Sequence, residues 1–221
     1  MLKKFENFLK TLKLDYKLYK HKSVELDLKG KLNPNNLLEH CFLETQGWLG
    51  FNEFYREYVS ILQNELNYYY KSKHTDIGSD EFLRGLEARL YRTQFSILTE
   101  YQAYFLCSEI FGESNVIRSK KLDNMGVDFT IIYNDEYFNI HSFVDTKRAW
   151  EKRNYKSKYK KANKAKGIHI NLPYDKTCKN FTSKKLPNGF AVYTTEYINH
   201  FKQQIDCGII KKDKYNRSYS P

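Results

Sequence analysis

The chain is poor in the residues that staple or anchor a protein. It has four cysteines, at Cys41, Cys107, Cys178 and Cys207, too far apart to form a CxxC pair or a zinc site of known spacing. No apolar run approaches the roughly twenty residues needed to cross a bilayer, which excludes an inserted helix. There is also no amino-terminal apolar run of the signal-peptide kind, so a cytoplasmic protein without disulfides is expected. GxxxxGK[ST] is missing, which argues against a nucleotide-driven motor. No repeat is visible at solenoid periods, and no Ser or Cys lies in the kind of turn that an acyl-transfer nucleophile needs. Six scattered histidines include no pair at ligand spacing. His141, four residues before Asp145, is the one placed near other candidate ligands.

What the chain has in excess is positive charge. It carries 37 Lys+Arg against 26 Asp+Glu, a formal +11 over 221 residues, which favours a polyanionic partner. The excess is uneven. Residues 148–166 hold nine Lys/Arg and one acid, Glu151. Such a segment reads either as a phosphate-tracking surface, with Arg148, Lys152, Arg153, Lys156 and Lys160 as contacts, or as a solvated basic helix. Trp150, Tyr155 and Tyr159 could stack on bases or pack the segment onto the domain.

Immediately before this segment lies the pattern richest in chemistry. Gly126-Val127-Asp128-Phe129 is followed seventeen residues later by Val144-Asp145-Thr146-Lys147. An extended run from Asp128 to Tyr133, a turn at Asn134-Asp135 and a return from Tyr137 to Thr146 would form a hairpin. On it Asp145 would come level with Asp128, and Asp145 and Lys147 would share a face. Two carboxylates would then supply hard oxygen ligands to Mg²⁺, and a lysine would orient or deprotonate water, as a metal-dependent phosphodiesterase requires.

A helix should precede the hairpin, ending near Phe111 with Gly112 as its cap. It carries Glu100, whose plain reading is a solvated helix carboxylate. Arg89 and Arg92, three apart on the same helix, share a face and could form salt bridges with Glu87 or Asp80. Lys120 and Lys121 precede Asp123 and are placed to meet backbone phosphates. Helical periodicity is also expected over 1–20 and 52–70, and a polar linker over 74–80. Thr194 should cap a last helix over 195–205. Strands are expected near 116, 129, 141, 169 and 191, with the one near 169 stopped by Pro173. Together these give an α/β fold with a mixed central sheet flanked by helices. The expected organisation is a helical amino-terminal region, 1–79, packed on a core, 80–221.

The order helix glutamate, small residue, glycine, short strand, GVD and DTK resembles the PD-(D/E)XK nuclease superfamily, and in that resemblance Glu100 would lie near the metals, as an outer ligand or as an acid behind the ligands. A longer resemblance, carried by Gly85-Leu86-Glu87-Ala88-Arg89-Leu90-Tyr91-Arg92-Thr93, Leu122-Asp123-Asn124-Met125-Gly126-Val127-Asp128 and Leu172-Pro173-Tyr174, is to the TaqI family of type II restriction endonucleases. Phe5-Glu6-Asn7-Phe8-Leu9 and Leu32-Asn33-Pro34 fit the same family. That resemblance implies a sequence-specific, Mg²⁺-dependent nuclease acting on duplex DNA, cutting within TCGA. Cutting both strands of such a site needs either a symmetric dimer or two successive events, of which a homodimer is expected, and a methyltransferase of the same restriction-modification system would protect it. Asp123 and Asp128 are carried over as paired aspartates and Lys147 as the catalytic lysine, and because the family's corresponding helix borders the DNA cleft, the resemblance suits Arg89 and Arg92 to phosphate clamping. Asp145 is an acid that the family does not require. A repair or junction-resolving nuclease, a nuclease toxin, and a non-catalytic DNA-binding protein of the same fold remain as alternatives.

Overall fold

The computed structural model describes the chain except residues 21–25, 42–44, 46, 160–164, 212–217 and 220. It divides into two compact units, Met1–Lys10 with Thr99–Pro221, and Thr11–Leu98. The division falls inside one long helix rather than at the polar linker around residue 79, and the first ten residues belong with the sheet.

In the first unit, α1 (Leu2–Thr11) buries Leu2, Phe5 and Leu9 from one face. The break after Thr11 separates it from α2 (Tyr16–Lys20), so residues 1–20 form two helices rather than one. The second unit holds α2, α3 (Asn35–Glu39), α4 (Phe51–Ile61), α5 (Gln63–Lys73) and the first part of α6 (Ser79–Phe111). α4 and α5 are interrupted at Leu62, the cap residue of both. Tyrosines act as struts in this unit. Tyr58 donates to the Leu32 carbonyl at 2.5 Å, and the hydroxyls of Tyr91 and Tyr69 accept the backbone N–H groups of Asp15 and Asp27.

Among the described residues, the first unit is built on a five-stranded sheet. Its strands are β1 (Val116–Ile117), β2 (Phe129–Tyr133), β3 (Glu136–Val144), β4 (Ile168–Tyr174) and β7 (Ser218–Tyr219), in the order β1-β2-β3-β4-β7. The first three are antiparallel, and β3-β4 and β4-β7 are parallel, which makes the sheet mixed as expected. β5 (Ser183–Lys185) and β6 (Ala191–Tyr193) form a separate hairpin, so the expected strand near 191 lies outside the main sheet. β4 runs through Pro173 instead of stopping there. Alternation explains this: Tyr174 turns its carbonyl to the β3 side, accepting from Asp145 N at 2.8 Å. Pro173 therefore faces the other side, where among the described residues β7 pairs with His169 and Ile170 and not with Pro173, so its missing N–H leaves no described ladder bond unmade.

The sheet has two unlike faces. Phe129 meets Tyr104 of α6, and Phe138 meets Phe201 of α9 (Thr195–Asp206), making an apolar layer. The opposite face carries buried Thr130, Asn139, His141, His169 and Asn171. α8 (Lys147–Tyr159) packs there, with Trp150 edge-on to Phe143 and Arg153 donating to Asn171 at 2.8 Å. The buried polar groups satisfy one another. Thr130 donates to Asn139, and the stacked His141 and His169 rings share a 2.9 Å hydrogen bond. Gln102, buried on α6, uses both ends of its amide to join Glu6 and the Tyr193 backbone. Among the described residues, no helix is long and apolar enough to cross a membrane.

Candidate active site

Asp128 stands at the start of β2 because of the turn before it. α7 (Lys120–Asn124), capped by Ser119, ends in a residue of positive φ, Gly126 at +74°. Gly126 N bonds the Asp123 carbonyl and Val127 N bonds the Leu122 carbonyl, a closure that an L side chain would strain. This brings Asp123, on the last turn, and Asp128, on the strand, within electrostatic reach of each other.

The hairpin that follows fixes the register. Asn134 and Asp135, at φ +50° and +60°, make a two-residue turn that pairs Tyr133 with Glu136 and Phe129 with Ile140. Asp128 is therefore level with His141 and Ser142, and its Oδ2 accepts the Ser142 N–H at 2.6 Å. Asp145 is not level with Asp128. It lies past the end of β3, four residues beyond His141 and so about 13 Å further along at the strand rise of ~3.3 Å per residue. A level pairing would have required a longer turn. Asp145 Oδ1 accepts the Trp150 indole N–H at 2.8 Å. Thr146 caps α8, with its hydroxyl accepting from Ala149 N, and Lys147 is the exposed first residue of that helix rather than a strand residue beside Asp145.

Glu100 is turned from solvent and held within electrostatic reach of Asp128. Its carboxylate is gripped by Arg118, whose side chain is 3% exposed against 16% for Glu100. The same guanidinium nitrogen donates to the Asp128 carbonyl at 2.8 Å, and the group lies over the Tyr101 ring, 4.6 Å from its centroid. Arg118 thus ties the α6 glutamate to the first residue of the hairpin. The signal in the sequence was an arginine directly after Val116-Ile117, between a helix glutamate and Gly-Val-Asp. Ser142 and Tyr193 were also unforeseen. Tyr193 donates to the Leu172 carbonyl at 2.6 Å, so Ser142 Oγ must donate to Tyr193 in their 2.8 Å contact.

The electrostatics follow from this crowding. Burial pushes the Asp128 carboxyl well above the usual carboxylate range. Glu100 and Asp123 add repulsion, while Ser142 and Arg118 oppose the shift. Burial also raises Glu100 despite Arg118. Arg153 is lowered by burial, against the pull of Asp128. Among the described residues no three acidic, histidine or cysteine side chains form a ready cage for a metal. A Mg²⁺ ion does not require one, since it is commonly held by one or two carboxylates with waters and substrate phosphate. Asp128 Oδ1 accepts no hydrogen bond from the described residues, which suits it as such a carboxylate.

The expected DNA contacts divide by environment. Lys120 and Lys121 are exposed on α7, as are Arg148 and Lys152 on α8. Arg153 is half-buried against Asn171 and so is not a plain surface cation. Arg89 and Arg92 are half-buried on α6 within the helical unit, where the Arg89 charge reaches Tyr58. The side chains of Tyr155, Lys156 and Tyr159, and all of Lys160, lie outside the described residues.

Comparison with known proteins gives this arrangement a context. The TaqI restriction endonuclease profile matches residues 2–184. A type II restriction enzyme of Thermus thermophilus is 27% identical over a 254-residue alignment that covers 98% of this chain and 95% of that enzyme. The type II restriction enzyme TaqI of Thermus aquaticus is 34% identical over 138 residues, 59% of this chain and 52% of its own length. No solved structure matches significantly. With the shared segment spanning both units and every residue of the carboxylate cluster, the chain belongs to the TaqI restriction endonuclease family.

Proposed function

We propose that the protein is a type II restriction endonuclease that cleaves duplex DNA at a specific sequence, using Mg²⁺, with TCGA the first site to test. The observation that carries this reading is the gathering of Asp128, Asp123 and Glu100 at one end of the sheet, in a chain whose relatives bear the name of type II restriction enzymes. Asp145 and Lys147 are at the same end, because β3 runs antiparallel to β2 and finishes where β2 begins.

In this reading Asp128 is the anchoring metal ligand, with Asp123 and Asp145 as further carboxylates. When bound, Mg²⁺ supplies Lewis-acid polarisation of the phosphate and a more acidic water. The chain's own contribution is placement. The Ser142 N–H and, through the backbone, Arg118 fix the Asp128 carboxylate, while Glu100 acts by holding Arg118. Lys147 orients water or offsets charge on phosphorus. Lys120, Lys121, Arg148 and Lys152 meet backbone phosphates, while Arg153 braces α8 on the sheet through its bond to Asn171. Cutting both strands of a palindrome calls for a homodimer, and a methyltransferase acting on the same site would protect the host DNA.

Incubation with a sequenced plasmid and Mg²⁺, followed by mapping of the ends, tests the reading. Discrete fragments with one shared end sequence are expected. Smearing, or cutting of branched DNA only, would instead support a repair nuclease or toxin, and binding without cutting a non-catalytic protein.

A further inference from the structure

Resting on that reading and extending it, we propose that the outward face of α9, with the loop of residues 175–182, is the surface that reads base edges in the major groove. Placement is the first reason. β4 is parallel to β3, so the loop after Tyr174 leaves the sheet at the end that holds Asp128 and Asp145, the end at which sheets with parallel strands receive ligands. α9 begins at the same end: Tyr193, which meets Ser142 beside Asp128, comes directly before its cap, Thr194.

The second reason is that the surface is already ordered. Asp175 accepts from the N–H and hydroxyl of Thr177 and from Lys179 N, and Asn180 Oδ1 accepts from the N–H and hydroxyl of Thr182. Thr194 then fastens the loop to the helix, its hydroxyl donating to the Phe181 carbonyl and its N–H to the Thr182 carbonyl. A loop fixed before binding loses little conformational freedom on docking.

Chemistry is the third. An open groove of about 750 Å³ is lined by Phe181, Glu196, Asn199, His200 and Gln203. The helix residues recur at three and four positions and so share one face. Phe181 is 45% exposed, yet held edge-on by Tyr197 and His200, with ring centroids 5.5 and 5.7 Å away. Asparagine and glutamine amides match the adenine N6/N7 edge, glutamate accepts from cytosine N4, and phenylalanine packs on the thymine methyl. Among the described residues no lysine or arginine lines the groove in this strongly basic chain, and the one lysine of α9, Lys202, is turned to Tyr133 and Asp206. A surface that follows phosphates would have the opposite composition.

The test compares wild type with Asn199→Ala and Gln203→Ala, both at exposed positions where the fold tolerates truncation, and with Phe181→Ala. Each protein selects bound sequences from a randomised duplex pool, and its kcat/KM is measured on the mapped site and on every single-base-pair change of it. The amide variants should lose about 10- to 100-fold on the cognate site, with discrimination collapsing at one base pair. Their binding to unrelated DNA and its salt dependence should not change. Equal loss on all sequences, or unchanged discrimination, would overturn the assignment, as would a wild type that selects no sequence. A wild type that selects and binds one sequence but never cuts it would sink the cleavage reading alone, and the variants would still decide the assignment through their selected sequences.

Discussion

Replacing Arg118 with methionine removes the cation that bonds both Glu100 and the Asp128 carbonyl. The guanidinium is 3% exposed and the Glu100 side chain 16%, so solvent cannot take its place without rearrangement. Breaking a buried pair from one side costs about 3–5 kcal/mol. The Asp128 carbonyl also loses its 2.8 Å donor, a further penalty of about 1–3 kcal/mol if it stays dry. A total near 5 kcal/mol would lower the melting temperature of the sheet unit by roughly 10–20 °C at ~2–4 °C per kcal/mol. Arg118→Met combined with Glu100→Leu should recover most of the loss, because the stranded charge goes with its partner. Chemical denaturation followed through the sheet unit, in a double-mutant cycle, measures both effects. A cost under about 1 kcal/mol, or a double variant no better than the sum of the singles, would refute the idea that this pair is buried and coupled.

Lys147→Ala should lose at least ~100-fold in cleavage rate, and Lys147→Arg should not restore it, because a guanidinium stays protonated at workable pH; single-turnover kinetics of the three proteins decide whether Lys147 is only a surface lysine. Lys152→Ala should weaken binding about equally on cognate and unrelated duplexes and reduce the slope of log K against log salt by up to about one, whereas Arg153→Met should leave that slope nearly unchanged and lower stability by orphaning Asn171; salt titrations and melting curves separate the two. Tyr193→Phe removes the donor to the Leu172 carbonyl and the acceptor for Ser142, and should cost about 1–3 kcal/mol in denaturant unfolding. Asp128→Asn should raise the melting temperature of the metal-free protein at neutral pH. An acid whose folded pKa is raised destabilises the fold as pH climbs through that range, so removing the charge relieves the penalty; an unchanged or lower melting temperature would contradict it.

Local signals carried much of the fold. Gly112 at the end of α6, the Asn134-Asp135 turn, and Thr194 capping α9 each act over a few residues, and each is found where the sequence places it. Long-range pairing was harder to read. Nothing local tells β6 to pair with β5 rather than join the main sheet, and β7 is only two residues long. The acid-x-lysine triplet shows the limit most clearly. Asp145 and Lys147 fit a strand pattern, but the tight turn sets a register in which β3 ends at Val144, and Thr146 begins a helix instead. Arg118 escaped because its importance lies in two partners, 18 residues and 10 residues away along the chain, which only the packed structure brings together.

The most direct test of the central claim is single-turnover cleavage of a duplex containing the mapped site, with Mg²⁺, by wild type and by Asp128→Ala at matched DNA occupancy. If Asp128 anchors the metal, the variant should bind the duplex as tightly as wild type, since basic side chains supply most of the affinity, and its rate should fall at least ~100- to 1,000-fold, as loss of one well-placed charge-stabilising group requires. A variant that keeps more than about a tenth of the wild-type rate would contradict a catalytic centre built around Asp128.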